Sequence, residues 1–149
     1  GHVAMAGHNE VRSSIQARSA ALTAMAMAAL ILGGCQTPPK AEGQSGVMAT
    51  YSMSTLRADL PHETVPVQSV IAAAQQAMMD RGYTVEEATG TESSGRAIGW
   101  PPRYSGWPRM VVEAKAVGDT TRVTVAYEPF GDEALSRALL ERILANLGL

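Results

Sequence analysis

One cysteine and three histidines among 149 residues leave little material for thiol or metal chemistry. A lone Cys closes no intrachain disulfide, and zinc-type sites need several Cys or His at characteristic spacings. Aromatic residues are scarce, at 5%. Charge is low and balanced: 12 Lys and Arg against 14 Asp and Glu give a net charge of −2. That balance excludes the basic footprint of a nucleic-acid binder. No apolar run reaches the roughly 20 residues that a membrane-crossing helix requires. The 46% of apolar residues is unevenly spread, and that unevenness divides the chain.

Residues 20–32 contain a single polar member, Thr23. A run of thirteen suits the hydrophobic region of a secretory signal, which is usually about 7–15 residues long. Arg12 and Arg18 precede it, Glu10 is the only acid there, and Leu32-Gly33-Gly34-Cys35 follows it. This combination resembles the lipobox of bacterial lipoprotein precursors. The resemblance implies a diacylglyceryl group on the Cys35 sulfur, cleavage before Cys35 and acylation of the new amine. Cys35 would then be the membrane attachment point, with several chains each contributing about 0.8 kcal/mol per buried methylene. Gly33-Gly34 and then Pro38-Pro39 argue against a helix continuing through this region. In the sorting pattern familiar from enterobacteria, Gln36 in place of Asp favours the outer membrane over the inner, on the periplasmic side.

The expected layout is a signal peptide over residues 1–34, a lipidated Cys and flexible tether over 35–46, and one domain over 47–149. Gly1-His2 reads as part of an expression remnant over residues 1–4, ahead of a natural start at Met5. The tether has no large apolar side chain to bury and would reach roughly 20–30 Å.

Within the domain, residues 50–60 read as a first strand. Its apolar phase changes between Met53 and Leu56, which suggests a bulge or two differently buried halves. Pro66 suits the first turn of a helix in which Val67, Val70, Ile71, Ala74, Ala77 and Met78 share one face, with Gly82 closing it. A short second strand begins at Tyr83 and Val85. Residues 96–100, 110–117 and 121–127 supply three more, the last two joined by a Gly118-Asp119-Thr120 hairpin. Asp132 can cap a final helix in which Leu135, Leu139, Ile143 and Leu147 recur every fourth residue. The expectation is an α+β fold: an antiparallel sheet of four to five strands with two helices packed on one face, in the order β-α-β-β-β-β-α.

The tether, the Arg81-Gly82-Tyr83-Thr84-Val85 opening, the Thr121-Arg122-Val123-Thr124-Val125 strand and Phe130-Gly131-Asp132-Glu133 add a second resemblance. Together with the lipobox they resemble a family of small bacterial lipoproteins defined only as domain of unknown function family 3568, over about residues 47–147. That resemblance implies the fold and carries over no catalytic residue. The segment Trp-Pro-Pro-Arg-Tyr-Ser-Gly-Trp-Pro at residues 100–108 departs from the family pattern.

Chemical constellations are sparse. After processing only His62 remains, without a second His, a free Cys or a Gly-x-Ser-x-Gly elbow, and it reads as a solvated loop residue. Glu86 and Glu87 are adjacent and point to opposite faces of a strand. Asp132 and Glu133 read as a helix cap rather than a metal pair. No Gly-rich phosphate loop is present, and no cofactor is implied.

One segment stands out. Residues 99–109 hold both Trp residues, three of eight Pro and one of four Tyr. In one reading a Pro-stiffened loop presents Trp100, Tyr104 and Trp107 with Arg103 and Arg109 to a sugar ring, a protein partner or a headgroup interface. In the other the two Trp residues fold back to cap the open end of a small core. The functional expectation is a lipid-anchored envelope binding or structural module, with an envelope protein or glycan as partner. The alternatives are an assembly factor that adds a strand to its client, or a small enzyme built around His62.

Overall fold

Alternation of period two is clearest at residues 120–128, where Thr121, Val123 and Val125 are buried and Arg122 and Thr124 are only half-buried. A strand with that pattern must have one covered face. In the computed structural model, which describes residues 37–149, it is the seventh strand of one sheet. The elements are β1 (Lys40–Glu42), β2 (Val47–Ser52), β3 (Thr55–Pro61), α1 (Val67–Asp80), β4 (Thr84–Gly90), β5 (Ser94–Trp100), β6 (Arg109–Val117), β7 (Thr120–Glu128) and α2 (Glu133–Asn146). The sheet order is β1-β2-β3-β7-β6-β5-β4, and every neighbouring pair is antiparallel. Helix α1 carries the chain from β3 to the far edge, and successive hairpins bring it back until β7 pairs with β3.

The class is α+β with both helices on one face, but the sheet has seven strands rather than four to five. One extra strand arises because residues 50–60 are a hairpin, not a single strand. Ser52 pairs with Thr55, leaving the two-residue loop Met53-Ser54, both at positive φ (51° and 65°). This is the geometry of a type I′ turn built without Gly or Asn, so the phase change marks a reversal of the chain. The bulge lies elsewhere, in β4 between Val85 and Glu87.

The other extra strand corrects the expected tether and its boundary at residue 47. Lys40, Ala41 and Glu42 pair with Ala49, Met48 and Val47. The composition here indeed offers no large apolar side chain. Main-chain pairing and one ion pair hold the segment instead. Glu42 is 7% exposed, and its carboxylate accepts from the Arg137 Nη1 at 2.8 Å. Arg137 also donates to Glu133 from Nε and Nη2, and to the Ala49 carbonyl at 3.4 Å. Burial works to lower the pKa of Arg137, but the bonds to Glu42 and Glu133 outweigh it and hold the guanidinium above its usual range. The exposed Arg142–Asp80 bridge between the helices is of another kind, the sort that contributes about 0–1 kcal/mol.

The buried face of α1 is Val67, Val70, Ile71, Ala73, Ala74, Ala77 and Met78, the spacing expected of it. It lies close to β5, whose core-facing positions are small. A Cβ on Gly99 would stand 2.9 Å from the Met78 sulfur, and one on Gly95 would stand 2.6 Å from Cγ1 of Ile71. Helix α2 buries Ser136, Leu139, Leu140, Ile143 and Leu144, with Leu135 and Leu147 packed at its ends. Both helices end in Schellman geometry: Gly82 and Tyr83 donate to Met79 and Met78, and Gly148 and Leu149 to Ala145 and Leu144. No described helix is long and apolar enough to cross a membrane.

Removing Glu42 leaves part of a buried guanidinium unpaired. Glu42→Ala is expected to lower the unfolding free energy by about 2 kcal/mol, read from the urea midpoint. Glu42→Leu combined with Arg137→Met should recover most of that loss. A single variant as stable as the parent would show that β1 is not held through this pair.

Candidate functional site

The aromatic segment lies between the last residue of β5, Trp100, and the first of β6, Arg109. Residues 101–108 form a compact excursion: Tyr104 N donates to the Pro101 carbonyl at 3.2 Å, and Ser105 and Trp107 make a one-residue bridge. Arg103 and Gly106 stand at positive φ, and the Trp107–Pro108 bond is cis.

The two Trp residues part company. Trp100 is half-buried, and its indole N–H donates to Glu86 on the neighbouring strand at 3.3 Å. Trp107 is 55% exposed and Tyr104 is 54% exposed. The Arg109 guanidinium lies 4.4 Å from the centre of the Trp107 ring, and its Nε donates to Glu128 at 2.9 Å. Each contact contributes at most about 1 kcal/mol at such exposure, so their effect is to orient Trp107 rather than to stabilise the fold. Of the five residues expected to act together, the structure thus couples Trp107 with Arg109. Tyr104 and Arg103 stand exposed on the same loop, and Trp100 is turned toward β4. Neither Trp is among the side chains packed against the core, so the segment does not cap it.

Sequence reasoning missed the other wall of this site. Trp107 and Pro108 share a groove of about 400 Å³ with Tyr127, Pro129, Phe130 and Gly131, in the connection from β7 to α2. Phe130 is 91% exposed, and leaving a Phe side chain in water forgoes about 1.5–3 kcal/mol of burial. Gly131 sits at φ 81°, where a Cβ would meet both Ser54 and the Tyr51 hydroxyl at 2.7 Å. The 129–131 loop therefore lies against the Met53-Ser54 turn, and Met53 is 95% exposed. The available signal was the lone Phe placed between Pro129 and Gly131, outside any periodic segment. Burial raises the Tyr127 pKa, assisted by Tyr83, Tyr104 and Asp132, so this phenol stays protonated beyond the ordinary range. The groove offers apolar and π-face contact.

The remaining sequence-level residues are accounted for individually. Asp132 caps α2, its Oδ1 accepting from Leu135 N at 2.9 Å, and Glu133 accepts from Arg137. His62 is more than a solvated loop residue. The Thr121 hydroxyl donates to the Val65 carbonyl at 2.6 Å, so it accepts from His62 Nδ1–H at 2.9 Å, tying the β3–α1 connection to β7. Among the described residues no three His, Cys, Asp or Glu converge in a way that could hold a metal. Cys35 lies outside the described residues.

These features define a class: a single antiparallel sheet with two helices on one face and an aromatic, proline-rich end. The chain belongs to the family described as Protein of unknown function (DUF3568), whose model matches residues 18–146. No curated protein matches it significantly. The family match begins earlier than residue 47 and takes in the apolar run and Cys35 with the fold.

The exposure difference predicts a clean optical assignment. In the unlipidated Cys35→Ser chain, Trp107→Phe should remove most of the iodide-quenchable tryptophan emission, whereas Trp100→Phe should leave it. Equal quenching of both single-Trp chains would contradict the arrangement described.

Proposed function

We propose that the protein is a lipid-anchored module of the bacterial cell envelope, attached through acylated Cys35 and acting by binding rather than catalysis. The observation that carries this reading is the sequence from Arg12 to Cys35, a charged start, an apolar run and Leu-Gly-Gly-Cys, ending two residues before the fold begins at Thr37. The extent of the family match supports it, because the anchor region and the domain fall within one family unit. The module faces the periplasm, with Gln36 favouring the outer membrane. Trp107, Tyr104, Arg103 and Arg109, together with Phe130, form its contact surface.

Two features weigh against the strand-adding alternative. Edge strand β4 carries a bulge at adjacent Glu86 and Glu87, and edge strand β1 is three residues long and preceded by Pro38-Pro39. Natural sheets use such devices to discourage pairing with another chain. For the enzymatic alternative, His62 Nδ1 is bonded to the Thr121 hydroxyl, a contact that ties the β3–α1 connection to β7.

Intact mass measured on protein purified from membranes tests the anchoring. The expected species begins at Cys35 and carries acyl mass, and Cys35→Ser should abolish that mass and release the protein from the membrane fraction. A mature species without acyl mass would overturn the reading.

A further inference from the structure

We propose that one end of the domain rests directly on the membrane that holds Cys35, with Met53, Phe130 and Trp107 seated at headgroup level. The inference deepens the anchoring reading above and rests on it.

The first described residue marks this end. Thr37 Oγ1 donates to the Tyr51 carbonyl at 3.0 Å and lies 3.4 Å from Glu133 Oε1. From Tyr51, β2 runs into the Met53-Ser54 turn, which abuts Gly131, and Gly131 shares the groove with Phe130 and Trp107. The point where the chain enters the fold and the exposed apolar side chains therefore occupy the same end of the sheet. Of the large apolar residues left exposed, the two most exposed, Met53 at 95% and Phe130 at 91%, are here, and Trp107 and Tyr104 stand with them.

Chain length decides how far this end can stand from the bilayer. Consecutive Cα atoms are about 3.8 Å apart, so the two steps from Cys35 to Thr37 span at most about 8 Å. The headgroup layer on each side of the hydrocarbon is itself about 5–8 Å thick. With acyl chains on Cys35 buried in hydrocarbon, Thr37 would lie within or just above the headgroups, which brings the end of the sheet that carries the exposed apolar side chains toward the same layer. Among the described residues, 37–46 are not a free tether that could hold the domain clear, because β1 is part of the sheet.

The chemistry suits this occupant. Trp and Tyr favour the interface, where an apolar ring and a polar edge are both satisfied, and Phe and Met supply apolar depth. Arg109 is paired with Glu128, which leaves Arg103 as the loop's exposed cation, so anionic lipid would add only about 1 kcal/mol of attraction.

The test uses the acylated full-length protein, purified from membranes and reconstituted in phosphatidylcholine vesicles whose acyl chains carry bromine near the headgroup. Trp100→Phe leaves Trp107 as the sole reporter. Should that variant fold poorly, the difference between the parent and Trp107→Phe gives the same quantity. The expected result is a loss of Trp107 emission on the order of twofold relative to unbrominated vesicles, with reduced iodide quenching. Met53→Ser with Phe130→Ser should weaken the bromine effect. Trp107 that is open to iodide and insensitive to bromine, on protein whose mass shows the acyl chains, would overturn this inference and leave the anchoring intact. Trp107 shielded from both quenchers would indicate a protein or second copy on this surface, and would also overturn it. Absence of acyl mass would overturn both readings together.

Discussion

A buried guanidinium determines where the chain enters this fold. Arg137 lies inside α2 with 12% of its side chain exposed, facing Glu42 on β1 and Glu133 one turn earlier on its own helix. Taking such charges out of water costs several kcal/mol per ion unless each is paired and hydrogen-bonded. Arg137 meets that demand with two carboxylates and a main-chain carbonyl, and in doing so holds a polar three-residue strand that has almost no apolar reason to stay. Glu133 is shared further, lying within reach of the Thr37 hydroxyl. The start of the described chain, the edge of the sheet and the beginning of α2 are thus one electrostatic unit.

Around that unit, packing is set by small residues. Gly95, Ala97 and Gly99 on β5 let the alanine-rich face of α1 approach the sheet closely, with Ile71 and Met78 filling the space that Cβ atoms would otherwise take. The helix-free face has a different character. Arg96–Glu113 and Arg122–Asp59 pairs cross between strands, while Ile98 and Val111 form a small apolar contact outside the main core. Of the large apolar residues left exposed, Met53, Tyr104, Trp107 and Phe130 gather at the end where β6 begins and β7 finishes, while Met48, Met79 and Val117 lie elsewhere.

The two helices were readable because their apolar residues recur at helical spacing over four turns. Val67, Val70, Ile71, Ala74, Ala77 and Met78 are buried as that spacing requires, and the glycine after α1 takes the left-handed conformation expected of it. The Gly118-Asp119 turn was equally plain. The Met53-Ser54 turn was not, since neither residue advertises a positive φ. Strand β1 escaped notice because the contact that fixes it lies 95 residues away in sequence, beyond any local window. For the aromatic end, local density exposed Trp100 and Trp107 together but could not separate them. The separation comes from Glu86, which takes the Trp100 N–H, and from Phe130, which a different loop delivers.

The seam between β3 and β7 carries a kinetic consequence. It joins residues 55–61 to residues 120–126, the longest loop closure in a sheet whose other pairings are hairpins between consecutive strands. Each hairpin closes locally, whereas the seam must gather more than half of the described chain before its first hydrogen bond forms. A chain emerging N-terminus first holds β1, β2 and β3 with one sheet edge unpaired until β7 has followed. Folding of the first three strands is therefore completed by β7 and by the Arg137 that α2 brings after it.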